Sequence, residues 1–314
     1  MFLDYTPGDF VIYVNNRNWG IGQIQSIMNN KITVNFENAW KKVINDKEII
    51  WERVKNLSNL DLKKTAEDLI DTFLKAGSIA KKISQRGVKI TIKADRSPVT
   101  DGDLAVDKLL RNKLIKLTPK IPIISEETVD LNIKNKNKTF WLIDPIDGTK
   151  EYIRKKDEYT LNAALIIDQK PALGVVYAPA KERLFYSYGN YSAFEINNGK
   201  KLVLNCKKIN FNQIIGLENS GETPNEILAI YKKYKVSQTL KMSSSLKFCI
   251  LASGEADIYA AKARAFEWDI AAGHAILEHA GGLITTHEEK RFLYGKDNFK
   301  NLPIIAKRSS NLEN

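Results

Sequence analysis

The sequence predicts an α+β protein in two parts, a small β-barrel over residues 1–57 and a larger domain of mixed helices and strands over residues 58–314. Three observations predict it. Short alternating runs separated by turn residues fill the first part, apolar stripes at helical spacing begin abruptly near residue 60, and from there helix and strand signals alternate to the end with no internal repeat.

In the first part, FVIYV (10–14), GQIQSI (22–27), KITVNF (31–36) and KKVINDKEIIWERV (41–54) read as four or five strands, parted by NNRNWG and NN turns. Three of the five tryptophans, Trp19, Trp40 and Trp51, lie here, and a barrel this small needs large side chains to fill its core. The second part opens with a helix over residues 60–82, its stripe made by Leu62, Ala66, Leu69, Ile70, Phe73, Leu74 and Ala76, with Gly87 beyond a basic last turn. The strand VKITIKA, a helix from Asp101 to Leu117, the strands IPIIS and FWLID and a β-rich middle over 159–217 follow. Helices come next near 224–234 and around SSLKFCILAS, then the strand IYAA, the helix WDIAAGHAILEHAG and the closing strands GLITT and LPIIAK. The tract KNKNK (134–138) reads as a mobile surface loop.

Composition removes several function classes. No apolar run approaches the roughly 20 residues of a membrane span, and the start MFLDYTPGD lacks a signal-peptide pattern, so a cytoplasmic protein is expected. Cys249, inside LKFCILA, reads as a small buried hydrophobe, and with Cys206 as its sole companion a reducing compartment fits. His274, His279 and His287 are spaced by 5 and 8, which does not set a zinc pair on one helix face; packing or surface roles are expected. The formal charge of +11 invites nucleic acid, but the lysines are scattered, and residues 1–57 hold seven bases against six acids. A nucleic-acid module would be far more basic, so the front module is expected to meet a protein partner or its own larger domain. The oligomeric state is left open.

Candidate chemistry lies where apolar strands run into acids. In FWLIDPIDGT, Asp144 and Asp147 stand three apart; Pro145 is expected to turn the chain sharply, bringing both carboxylates and the Ile146 carbonyl to one side. Three hard oxygen donors from one segment suit Mg2+ held partly by protein and partly by substrate phosphate. Gly148 removes a side chain where phosphate must approach, and Thr149 and Lys150 begin a helical turn. PIISEET ends in Glu126 and Glu127, SPVTDGDLAVDKLL offers Asp101, Asp103 and Asp107, and AFEWDIAAGHAILEHAGG places Asp269 at a helix start. Each alone has an ordinary explanation: Asp101 as an N-cap, Glu127 and Glu267 as solvated charges, Asp269 as a first-turn partner of the helix dipole. Four such junctions together exceed what capping needs.

The set SPVTDGD, SEE, DPIDGT and WDIAAGHAILEHAGG resembles the inositol monophosphatase superfamily, and DPIDGTKEYIRKKDEYTLNAALI, LGVVYAP and SSSLKFCILASGEADIY resemble its CysQ-type branch of bisphosphate nucleotidases, over about residues 60–307. The resemblance implies a layered αβαβα sugar-phosphatase-type fold, two or three Mg2+ ions, and sensitivity to lithium. It also implies metal ligation by Glu126, Asp144, the Ile146 carbonyl, Asp147 and Asp269, a water oriented by Asp103 and Thr149, and a phosphate held by the amides of Gly148 and Thr149. Where the inositol-specific enzymes carry an acid seven positions before the WD aspartate, this chain has Lys262, followed by Arg264. With Ser245 and Lys247 of SSSLK, these cations point to a second anionic group on the substrate, and the CysQ resemblance implies 3′-phosphoadenosine 5′-phosphate, a small bisphosphorylated nucleotide. Inositol monophosphate and fructose 1,6-bisphosphate remain alternatives. The motifs PGDFVIY, WGIGQI and ITVNFENAW resemble SH3- or Tudor-like barrels of CarD-type modules, and a regulator that binds polymerase or nucleic acid through this module is the competitor from another class.

Overall fold

The computed structural model describes residues 10–13, 16, 19, 21–28, 31–36, 39–45, 51–53, 60–93, 97–131, 137–189, 191–206 and 209–313. The chain divides into two compact units, Met1–Asp61 and Leu62–Asn314. The boundary expected between residues 57 and 58, the PGD of the first motif and most of the KNKNK tract lie outside the described residues.

In the smaller unit, β1 (Phe10–Tyr13), β2 (Ile21–Met28), β3 (Lys31–Phe36), β4 (Trp40–Asn45) and β5 (Trp51–Arg53) form an antiparallel sheet in the order β4-β3-β2-β1-β5. Alternation decides its faces: Ile32, Val34 and Phe36 of β3 point inward and meet Val11 and Ile24. Trp19 packs on this core, stacked on Tyr13 at 5.1 Å and edge-on to Phe36 at 5.2 Å. Among the described residues no pairing joins β4 to β5.

The larger unit begins with α1 (Leu62–Arg86), whose inward stripe runs from Ala66 through Leu69, Phe73, Ala76 and Ala80 to Ile83. A two-stranded hairpin, β6 (Ile90–Ile92) and β7 (Pro98–Thr100), leads into α2 (Asp101–Leu117). The cap of α2 differs from expectation. Thr100, not Asp101, is the N-cap: its hydroxyl accepts the N–H groups of Gly102 and Asp103, and the Asp103 carboxylate returns to the Thr100 N–H at 2.8 Å. Asp101 instead accepts the Lys89 N–H at 2.9 Å and pairs with Arg86 at 2.5 Å, fastening the hairpin to α1.

A seven-stranded sheet follows. It comprises β8 (Ile123–Ser125), β9 (Phe140–Asp147), then, after the short α3 (Thr149–Ile153), β10 (Thr160–Ile167), β11 (Lys170–Ala178), β12 (Arg183–Ser187), β13 (Ala193–Asn197) and β14 (Lys200–Val203), ordered β14-β13-β12-β11-β10-β9-β8. The second sheet takes β15 (Ile214–Glu218), then after α4 (Asn225–Lys233) β16 (Val236–Lys241), after α5 (Leu246–Ser253) β17 (Ile258–Ala261), and after α6 (Glu267–His279) β18 (Leu283–Thr286) and β19 (Ile304–Lys307), ordered β16-β15-β17-β19-β18.

Side-chain parity sorts the layers. Phe140 and Leu142 of β9 join the core with α5 and α6, whereas Trp141 points oppositely and donates its indole N–H to Thr118 at the end of α2, 2.8 Å away. On β11, a Cβ at Gly174 would stand 2.4 Å from the Ala272 carbonyl of α6, while Tyr177, three residues on, lies against Gly77 of α1. The order of layers is therefore α1/α2, sheet, α5/α6, sheet, α4, the αβαβα arrangement expected, with α4 closing the far side through Ile227 and Tyr231. No described helix is long and apolar enough to cross a membrane.

Candidate metal centre

The end of β9 shows how one strand can aim two acids at one place. Residues three apart on a regular strand face opposite sides of the sheet. Here Asp144 pairs with Asn162 and Asp147 with Thr160, so three steps on β9 match two on β10. The extra residue is a β-bulge, and Pro145, with no N–H to leave unpaired, is suited to it. The sharp turn expected at Pro145 is absent; β9 continues to Asp147, and the chain turns at Gly148, with φ of +90°. A Cβ at Gly148 would also press to 3.0 Å from the Glu158 carbonyl, so glycine is required by conformation and by space.

Asp144 continues the face of Phe140 and Leu142, toward α6, and meets Asp269 in that helix's first turn. Glu126 arrives from the end of β8, its N–H bonded to the Ile143 carbonyl at 3.1 Å. Carboxylate oxygens of Glu126, Asp144 and Asp269 all lie within 4.8 Å of one another. Asp147 lies outside that triple and accepts the backbone N–H of Ser245. Burial, reinforced by Glu126, Asp147 and Asp269, pushes the Asp144 carboxyl well above its ordinary range, and Asp269 is raised likewise by burial and then by Asp147 and Glu126. Burial also lifts Asp147 to about 6, with Lys247 and the Ser245 N–H opposing. The Asp144 Oδ1 atom is buried with no hydrogen-bond partner among the described residues. An orphaned buried carboxylate oxygen among like charges is what a hard divalent cation would satisfy, and the all-oxygen donor set fits one.

The pair expected to orient water is adjacent. The Thr149 hydroxyl lies 3.4 Å from Asp103 Oδ1, somewhat beyond the expected 2.6–3.2 Å, and 3.0 Å from the Ile146 carbonyl. Asp103 Oδ2 is committed to Thr100, whose hydroxyl donates at 2.5 Å, which leaves Oδ1 toward Thr149. Burial raises Asp103 to about 6, against the opposing Thr100 bonds.

Beside the acids opens a cavity of about 430 Å³, lined by Asp147, Gly148, Ser244, Lys247, Arg264 and Asp269 among others. Lys247 forms its floor, its ammonium donating to the Ser244 carbonyl at 2.7 Å and lying 5.1 Å over the Tyr259 ring; burial lowers it to about 8. Ser245 is turned inward, its hydroxyl engaged with Thr160 and Asn162. Arg264 and Lys262 stand exposed on the rim, and Lys262 is already paired with Glu226 at 3.3 Å.

Several residues escaped sequence reasoning. Lys93 reaches Glu126 at 3.2 Å and Glu127 at 2.9 Å. Burial alone would lower its pKa, but these two acids together raise it. Its signal was a cation ending the run VKITIK. Glu127, expected as a solvated charge, has a buried side chain that desolvation lifts to about 7. Glu267, expected likewise, is wholly buried and accepts the N–H groups of Gly295 and Lys296 and the Lys296 ammonium. His274 and His279 are packing residues, both buried.

Residues 61–313 match the model of the inositol monophosphatase family, and residues 5–54 match a family described as protein of unknown function, DUF3553. The 3′(2′),5′-bisphosphate nucleotidase CysQ of Buchnera aphidicola is 41% identical over 207 residues, 65% of this chain and 76% of that protein. The CysQ of Escherichia coli K12 is 34% identical over 206 residues, 65% of this chain and 82% of its own. The crystal structure of CysQ from Bacteroides thetaiotaomicron superposes with a TM-score of 0.66 at 28% identity, covering 79% of this chain and 98% of that one.

Proposed function

The chain belongs to the inositol monophosphatase family, and from that premise we propose that its larger unit is a magnesium-dependent phosphatase that hydrolyses 3′-phosphoadenosine 5′-phosphate to AMP and inorganic phosphate. The observation that carries this is the convergence of Glu126, Asp144 and Asp269, with one Asp144 oxygen buried and without a hydrogen-bond partner among the described residues, beside a cavity lined by Asp269, Lys247 and Arg264. Glu126, Asp144, Asp147, Asp269 and the Ile146 carbonyl would hold two or three Mg2+ ions, and lithium would inhibit. When bound, such ions supply positive charge to the phosphoryl oxygens and acidify water.

The chain's own residues supply the rest. Asp103 Oδ1 and the Thr149 hydroxyl, side by side, orient the attacking water, and the Asp103 carboxylate, made more basic by burial, takes its proton. Water adds to phosphorus as the bond to the ester oxygen breaks; that oxygen takes a proton from solvent and leaves as the nucleotide's 3′-hydroxyl. The amides of Gly148 and Thr149 hold the reacting phosphate. Lys247 and Arg264 face the second phosphate, with Ser245 fixing the turn that carries Lys247. Lys262 is less available, because Glu226 competes for it. The smaller unit, proposed as an SH3- or Tudor-like barrel, binds a protein partner, and the cytoplasm is the proposed location.

The test is phosphate release, with Mg2+, from 3′-phosphoadenosine 5′-phosphate, inositol 1-phosphate and fructose 1,6-bisphosphate. Preference for the nucleotide is expected. Arg264→Ala should lower its kcat/KM roughly ten- to hundredfold while sparing inositol 1-phosphate, because only the bisphosphate offers a distal charge. Lys262→Ala should cost only a few-fold, since an exposed, already paired lysine contributes little. Equal turnover of all three substrates, with the ratio unmoved by Arg264→Ala, refutes the nucleotidase assignment.

A further inference from the structure

Given the proposed function, in which Asp147 holds a cation and Lys247 in the first turn of α5 faces a substrate phosphate, we infer that Thr160 and Asn162 are positioning residues that yoke those two tasks together. β10 is buried on both faces and apolar apart from these two side chains, which are 0% and 1% exposed. Buried polar groups are costly unless hydrogen-bonded, and both find the same partner, Ser245 at the start of α5.

The three form a closed ring. The Asn162 amide donates to Thr160 Oγ1 at 3.4 Å, the Thr160 hydroxyl donates to Ser245 Oγ at 2.8 Å, and the Ser245 hydroxyl donates to Asn162 Oδ1 at 2.6 Å. Each hydroxyl thus donates once and accepts once, which leaves one consistent direction around the ring. The ring sits opposite the bulge, with Thr160 across from Asp147 and Asn162 across from Asp144. None of its members lines the cavity. What it fixes is Ser245, whose N–H holds the Asp147 carboxylate. The preceding residue, Ser244, supplies the carbonyl that holds the Lys247 ammonium, and both Ser244 and Lys247 line the cavity. One ring therefore sets an acid on the cation side and an ammonium on the substrate side.

The experiment compares Thr160→Val, Thr160→Ser and Asn162→Leu in the full chain. Four quantities are measured: Mn2+ affinity by calorimetry, kcat and KM for 3′-phosphoadenosine 5′-phosphate at saturating Mg2+, and the melting temperature. Thr160→Val and Asn162→Leu should each weaken Mn2+ binding about tenfold and raise KM by a similar factor, as loss of outer partners of a metal site commonly does. Thr160→Ser, which keeps the hydroxyl, should behave as wild type. If Asn162→Leu fails to fold, the contrast of Thr160→Val with Thr160→Ser decides. Variants that melt lower but bind Mn2+ and substrate normally make the ring mere packing, and movement of one constant without the other removes the coupling; either result overturns the inference. A wild type that binds no Mn2+ is a different failure, visible before any variant is made, and it takes the proposed function and this inference down together.

Discussion

Two carboxylates stand two residues apart on the first turn of α6 and live in opposite circumstances. Glu267 is completely buried yet fully answered, by two backbone N–H groups and the Lys296 ammonium at 2.8 Å. Asp269 faces Glu126 and Asp144 within 4.8 Å, and in that cluster one Asp144 oxygen has no hydrogen-bond partner among the described residues. A fold that can satisfy Glu267 with three donors does not lack the means to satisfy Asp144. The difference teaches how to separate a structural acid from a functional one: the structural acid has its counter-charge built into the chain, and the functional acid has room left for one from solution. Lys93 stands between the two cases, since it supplies part of the charge that Glu126 needs.

The widest break between the two acids should come from removing each charge in turn. Asp144→Asn should lower turnover by about 10³-fold or more, because the charge it removes is one the proposed ions require. In EDTA the same variant should melt about 2–4 °C higher than wild type, having lost roughly 1 kcal/mol of repulsion. Glu267→Gln should do the reverse to the fold. Breaking a buried pair costs about 3 kcal/mol, seen as a lower denaturation midpoint with or without Mg2+. If both variants destabilise the metal-free protein equally, the distinction between the acids collapses.

A smaller effect separates charge from orientation. Thr149→Val should cost about 10²-fold in kcat while leaving Mn2+ affinity within a few-fold of wild type, because it removes a hydroxyl that orients water and no carboxylate. Unchanged kcat would mean that Asp103 alone, 3.4 Å from that hydroxyl, suffices.

How much of this was legible in the sequence depends on what kind of signal each residue leaves. The helices at Leu62–Arg86, Asp101–Leu117 and Glu267–His279 were plain, because apolar spacing is a local property and tertiary contact only confirmed it. Asp144 and Asp147 stood out as acids ending an apolar strand. Their common aim depends on a bulge against β10, which neither strand's sequence announces alone. Glu267 was misjudged for a similar reason: its three donors come from Gly295 and Lys296, far along the chain, and a carboxylate beside a helix start gives no hint of them. Thr160 and Asn162 did leave a trace, two polar side chains in a strand otherwise apolar on both faces. The pattern marks such residues as needing partners without naming Ser245 as the one.

The other end of α6 serves as a control. His279 is buried beyond the reach of any acid in the cluster, and its Nδ1 accepts the Gly189 N–H at 3.2 Å with the Ser187 hydroxyl at 2.9 Å. An accepting Nδ1 carries no proton, so the ring is neutral, and burial holds its pKa down to about 4 from the ordinary 6.5. A depressed histidine pKa means that between these values the unfolded chain binds a proton the folded chain refuses. Its contribution to stability is therefore whole above pH 6.5 and is lost as pH falls toward 4. At pH 4.5 the loss from this residue should be about 2 kcal/mol. His279→Asn keeps a side-chain acceptor in nearly the same place but has nothing to titrate. Its unfolding free energy, measured by urea at pH 7 and 4.5 in EDTA, should fall by about 2 kcal/mol less than that of wild type over the same interval. Equal falls in the two proteins would mean that His279 is already protonated in the fold, and that the Gly189 N–H is not its donor.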